Sequence, residues 1–119
     1  MDHVCVVFPI LPGKTEDARA FMRELDGPRM AEYNRSEQAI GITKELWFLA
    51  AMPGGDALVG YMEASNFGQA VGQFGASKEP FDLWFKLRMK EVTAVDFENI
   101  PADFRPPELL SHYDVQKVR

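Results

Sequence analysis

"ELWFLAAM" (residues 45–52), "PGGD" (53–56) and "ALVGYMEA" (57–64) read together as two strands and the turn between them. Pro-Gly-Gly-Asp is turn chemistry, and the flanking aromatic and aliphatic residues favour extended backbone. An antiparallel hairpin with one wet face should alternate apolar and polar residues. Here that alternation is missing. Leu46, Phe48, Ala50 and Met52 point one way, Trp47, Leu49 and Ala51 the other, and both sets are apolar. The run "HVCVVFPIL" (residues 3–11) repeats the pattern, with Val4, Val6, Phe8 and Ile10 alternating with Cys5, Val7 and Pro9. A sheet built from these strands needs cover on both faces.

Helices supply one cover. "TEDARAFMREL" places Ala18, Phe21, Met22 and Leu25 on one face, with Thr15 as a possible N-cap and acids in the first turn. Gly27-Pro28 interrupts it, and a second helical piece is expected from Pro28 to Ile40, ending at Gly41. Ser65 or Asn66 is expected to cap a short helix carrying Phe67, Val71 and Phe74. A longer helix over residues 80–95 follows. "ENIPADFRPP" reads as a loop by its prolines, and "ELLSHYDV" (residues 108–115) as a last strand. The order βαββαβ predicts an α+β, ferredoxin-like domain spanning residues 1–119. Its sheet is expected to have four antiparallel strands in the order 4-1-3-2, with helices on one face. The uncovered apolar face then predicts a homodimer.

Composition excludes several functions. With 119 residues, 46% of them hydrophobic and 26% charged, the chain is globular and of single-domain size. Its 13 Lys and Arg are dispersed against a net charge of −5, so neither nucleic acid nor a membrane surface is an expected partner. No apolar run reaches a membrane span and no signal segment opens the sequence, which predicts a cytoplasmic protein. "NRS" (residues 34–36) matches a glycosylation sequon, which has no meaning without secretion. Cys5 is the single cysteine, so there is no internal disulfide and no thiolate cluster. Its apolar setting predicts an inert, buried thiol. Metal-ligand spacing is absent, and haem would have only His3 or His112 as axial ligand. No metal and no cofactor are expected.

At this level the chain resembles the dimeric α/β-barrel superfamily, and within it a bacterial branch of small proteins. The resemblance rests on "EYNRSEQAIGITKELWFL", "MPGGDALVGYMEA", "PFDLWFKLRMKEVTAVDF" and "PPELLSHYDV", which together span most of residues 32–115. It implies two sheets packed face to face in a homodimer, with ligands held between the sheet and the helices of each subunit. Relatives of this kind include cofactor-free monooxygenases, polyketide cyclases, isomerases, haem-degrading enzymes and non-enzymatic stress proteins. The resemblance therefore selects no reaction, and no catalytic motif carries over.

Two groups of residues are candidates for chemistry. Topology brings His3, Tyr61, Glu63 and His112 to one end of the sheet, and the first helical region returns Tyr33 and Ser36 toward it. A histidine oriented by a carboxylate or a phenol suits proton transfer near neutral pH. The plain alternative is a terminal His3 and an exposed or interfacial His112, with Tyr33 packing its ring and wetting its hydroxyl. The second group surrounds Arg88. Phe81, Trp84, Phe85, Val92 and Val95 share a helical face with Arg88 at its middle. A buried guanidinium must snorkel, pair with a carboxylate such as Glu37, Glu63 or Glu91, or meet an anion from a ligand or a second subunit. Nine Phe, six Met and two Trp leave room for an adaptable apolar pocket. The expected ligand is an apolar carboxylate-like small molecule, met by Arg88, Trp84, Tyr33, Ser36 and Phe85. A cofactor-free cyclase, isomerase or monooxygenase, and a stress or scaffold dimer with a filled interior, remain open beside it.

Overall fold

The computed structural model describes residues 1–117. In chain order it comprises β1 (Asp2–Pro9), α1 (Thr15–Leu25), α2 (Met30–Ile40), β2 (Ile42–Met52), β3 (Gly55–Ala64), α3 (Phe67–Ala76) and α4 (Pro80–Thr93), with a short 3₁₀ turn at Val115–Lys117. The strands form an antiparallel sheet in the order β1-β3-β2. β1 pairs with β3 from Asp2↔Ala64 to Pro9↔Ala57, and β2 pairs with β3 down to the hairpin tip at Met52↔Gly55.

The expected fourth strand does not form. Residues 105–114 are without regular structure, and Leu109, Leu110 and Tyr113 are exposed. Pro106 and Pro107 directly precede the segment and have no backbone N–H to give to a ladder, so its start cannot pair regularly along a sheet edge. Among the described residues the sheet has three strands, with β1 and β2 as its edges.

The helices lie on one face, as the sequence predicts. Val6, Phe8, Ile10 and Leu58 from that face meet Ala18, Phe21 and Leu25 of α1 and Phe81, Phe85, Met89 and Val92 of α4 in one buried cluster. A smaller cluster joins Ile42, Ala64 and Ala70. Gly60 sits beneath the indole of Trp47, and a β-carbon there would lie 2.8 Å from the ring. Glycine is the side chain that lets Trp47 lie flat on β3.

Two caps differ in outcome. Asn66 caps α3, its Oδ1 accepting from the Gln69 N–H at 3.0 Å. Thr15 does not cap α1; its hydroxyl donates to Asp56 Oδ2 at 2.7 Å and ties α1 to the hairpin. Cys5 is half-buried on the open face, opposite Tyr61, rather than enclosed in the core.

α4 buries a different stripe from the one its aromatics suggest. Phe81, Asp82, Phe85, Lys86, Met89, Val92 and Thr93 are buried, so Arg88 lies at the edge of the stripe. Its Nη1 donates to Glu91 Oε1 at 2.6 Å on a part-exposed surface. The buried cation on this helix is Lys86, 4% exposed. Its ammonium donates to the carbonyls of Phe74, Gly75 and Ser77 at 2.9–3.1 Å and lies 3.2 Å from Glu98. It thus adds a donor to the carbonyls where α3 ends, of which Phe74 also accepts from the Ser77 N–H. Asp82 accepts from the hydroxyls of Ser36 on α2 and Ser77, which knits three helical segments together. No helix among the described residues is long and apolar enough to cross a membrane.

Candidate functional site

Between the sheet and α2, α3 and α4 lies a cavity of about 530 Å³. Phe8 and Met62 form part of its sheet wall, Phe67, Ala70 and Phe74 the α3 wall, and Phe85 the α4 wall. A strap, residues 94–104, lays Val95, Phe97 and Phe104 across one side. The strap leaves α4 at Ala94, whose φ of 68° is left-handed, and crosses α3 so closely that a β-carbon on Gly75 would meet the Phe97 carbonyl at 2.8 Å. A cavity this size is ordinary for a small-molecule site and larger than packing leaves by accident.

Its deep polar groups come from α2 and β2. Tyr33 and Glu37 stand one helical turn apart, and Glu45 and Trp47 share a strand face. The Tyr33 hydroxyl and the Trp47 Nε1–H, the latter at 2.9 Å, both donate to Glu45 Oε2. Two donors on one oxygen fix Glu45 as the carboxylate of the group. Glu37 also lines the cavity, and its Oε2 is buried without a hydrogen-bond partner. Burial first, and then the neighbouring Glu45, push the Glu37 carboxyl up to about 10, so it holds its proton at neutral pH. Burial and the Glu45 charge likewise keep the Tyr33 hydroxyl protonated at any ordinary pH. The site therefore pairs a neutral acid with an anchored carboxylate in apolar surroundings, an arrangement able to donate a proton or a hydrogen bond.

The residues singled out from sequence fall in three places. Phe85 is in the cavity wall, and Tyr33 stands directly behind it through Glu45. Ser36 is turned to Asp82. Trp84 packs edge-on against Phe21 at 5.4 Å and carries the Arg29 guanidinium 4.1 Å above its ring, outside the cavity lining. Arg88 is also outside that lining and is paired with Glu91.

His3, Tyr61 and Glu63 do come together, on the opposite face of the sheet. The Tyr61 hydroxyl donates to Glu63 Oε2 at 2.7 Å, and His3 Nδ1 lies 3.0 Å from the same hydroxyl. Since that hydroxyl has one proton and gives it to Glu63, His3 Nδ1–H is the donor in the second bond. The His112 ring centroid is 5.4 Å from that of His3. Tyr61 and Glu63 flank Met62, which lines the cavity, so the sheet itself separates the two polar groups. Among the described residues no three His, Cys, Asp or Glu side chains form a metal-binding group.

Glu37 and Glu45 were legible only as a possible partner of Arg88 and as an acid opening a strand. The usable signal was paired spacing, Tyr-x-x-x-Glu on a helix followed by Glu-x-Trp on the next strand.

These features define a class: a small α+β protein with helices on one face of an antiparallel sheet and a cavity between the layers. Residues 1–117 match the model of a family of unknown function, DUF6176, and the chain belongs to that family. No curated protein matches it. A solved structure of tetracenomycin F2 cyclase from Streptomyces glaucescens, a type-II polyketide cyclase, is similar at a TM-score of 0.57. The alignment covers 97% of this chain and 99% of that one at 14% identity, a likeness of fold.

Proposed function

We propose that the protein binds an apolar small molecule between its sheet and helices, with the ligand's polar end at Glu37. One observation carries this reading: Glu37, whose Oε2 is buried without a partner, is a lining residue of a 530 Å³ apolar cavity. A buried acceptor without a donor costs free energy, and a ligand group that meets it recovers that cost. The carboxylate-like ligand expected from sequence depended on Arg88, which is not in the lining; beside Glu45 a carboxylate would meet like charge. Phe85 serves as wall, while Tyr33 and Trp47 are positioning residues that hold Glu45.

A second reading is a cofactor-free enzyme. It is favoured by the protonated Glu37 beside the carboxylate of Glu45, two acids driven apart by their surroundings. Likeness to a polyketide cyclase lends it support. Glu37 would give its proton to a carbonyl oxygen as charge develops there.

The open sheet face supports a homodimer. Val7, Leu46 and Phe48 are 41%, 47% and 55% exposed on it, a contiguous apolar surface that a second copy would cover. Native mass spectrometry tests both proposals at once. The expected result is twice the 13.5 kDa chain mass, with a small molecule that leaves on denaturation. Protein that carries no small molecule, and whose melting temperature no aromatic probe raises, overturns the binding reading; a monomer overturns the dimer.

A further inference from the structure

We propose that the cavity selects a cation: an ammonium group on an aromatic or alkyl body, its charge seated at Glu37 and Glu45. The inference rests on the cavity being the ligand site and names the ligand's charge. Every ionisable side chain in the described lining is an acid, namely Glu37, Glu45 and Asp96. Neighbouring cations already have partners, and Lys90 lies 3.6 Å from Asp96. Lys86 is spent on the end of α3 and on Glu98, Arg88 on Glu91, and Arg29 on the outer face of Trp84.

The chemistry of the wall sets an order of preference. A carboxylate ligand brings acceptors only, and a negative charge that Glu45 repels. A hydroxyl brings one donor to the orphaned Glu37 oxygen. An ammonium brings three donors and a positive charge, and a buried charge is tolerated only when paired, which Glu45 permits. Its remaining surroundings are aromatic. Phe8, Trp47, Phe67 and Phe85 line the same space, and ring faces attract cations when water is excluded; Phe74 beside them already carries the Lys86 ammonium 5.6 Å from its ring centroid. Asp96, held as a carboxylate by Asn99 and the Glu98 N–H, lies 3.6 Å from Lys90 on the strap side, so the charge that selects the ligand is that of Glu45.

Three probes of one body and different charge test the proposal: naphthylmethylamine, naphthylmethanol and naphthoate, titrated against the intact protein at pH 7.5 with thermal melting as readout. The amine is expected to bind about tenfold or more tighter than the alcohol, a charge-assisted bond against a neutral one, and naphthoate to give no shift. Glu45→Gln is expected to reduce that preference while the alcohol still binds, and Glu37→Gln, neutral like the acid it replaces, to retain it. An alcohol that equals or exceeds the amine overturns the charge assignment and leaves the cavity as the binding site. Naphthoate as the strongest probe overturns it outright. Preference for the amine that survives Glu45→Gln overturns the placement of the charge at Glu45. If no probe shifts the melting temperature, the binding reading falls and this inference with it.

Discussion

The two faces of the sheet each carry a tyrosine bonded to a glutamate, and they differ in almost everything else. On the open face Tyr61 donates to Glu63 and His3 completes the chain, all within reach of water. Under the helices Tyr33 donates to Glu45, Trp47 adds a second donor, and Glu37 beside them is left with a buried oxygen unpaired. Solvent satisfies what the first group lacks. The second must find every partner within the protein or in a ligand. Like side chains thus become a surface network on one side and a proton-holding acid on the other, and burial first, then the Glu45 beside Glu37, makes the difference.

The largest expected effect breaks that contrast directly. Glu45→Ala strands the Tyr33 hydroxyl and the Trp47 N–H in an apolar interior, and should destabilise by about 3 kcal/mol. Glu63→Ala leaves its partners to water and should stay within about 0.5 kcal/mol of wild type. Urea denaturation of both variants measures the gap. Equal losses would mean that Tyr33 and Trp47 find water, and that the cavity is wet.

The second prediction concerns protons. Glu37 has its ordinary carboxyl affinity in the unfolded chain but binds a proton in the folded one up to about pH 10. Between those limits the native state carries the extra proton, so raising the pH withdraws stability. From pH 5 to pH 9 wild-type stability should therefore fall through this group. Glu37→Gln keeps the shape without the titration, and should be more stable than wild type at pH 8 by roughly 2–3 kcal/mol, with little difference at pH 4.5. Denaturant midpoints across that range check it. A variant less stable than wild type at pH 8 would show Glu37 to be ionised and paired.

The third probes how closely the covered face is fitted. Gly60→Ala places a methyl 2.8 Å from the Trp47 ring, so the indole must tilt away from β3. Overpacking of this kind costs about 1–3 kcal/mol. Trp47 fluorescence should move with it, because the same ring walls the cavity and holds Glu45.

Why the fold was easier to read than the site follows from particular residues. Hairpin, helix breaks and helix-covered face follow from Pro53-Gly54-Gly55, Gly27-Pro28 and the Val4, Val6, Phe8 alternation, all local signals. A last strand does not follow from the apolar Leu109 and Leu110, because Pro106 and Pro107 ahead of them withhold backbone donors. The start of β1 is expected beside the end of β3 on topology alone, and the antiparallel β1–β3 pairing does set His3 opposite Glu63 and near Tyr61. What stayed hidden was depth. Nothing in the spelling of "FDLWFKLRMK" says that Asp82 and Lys86 are inside and Arg88 is not. That rotation is set by Ser36, Ser77 and the end of α3, which contact α4 from elsewhere in the chain.

The smallest prediction rests on that same rotation. Lys86 and Arg88 stand two residues apart on α4, and their charges face different solvents. Arg88 is 29% exposed at the side chain and bonded to Glu91, three residues along the same helix and itself 47% exposed. Pairs of this kind contribute a few tenths of a kcal/mol, because water competes for both ions and two long side chains must be ordered. Arg88→Met keeps the apolar stem that lies beside Trp84 and should change stability by less than about 0.5 kcal/mol. Lys86→Met removes the donor that caps three carbonyls, and should cost several times more. Melting both variants in parallel compares them in one experiment. If Arg88→Met proves the more damaging, the buried stripe of α4 runs through Arg88 after all. Its guanidinium would then face a buried carboxylate, and the acidic cavity would have a cation in its wall.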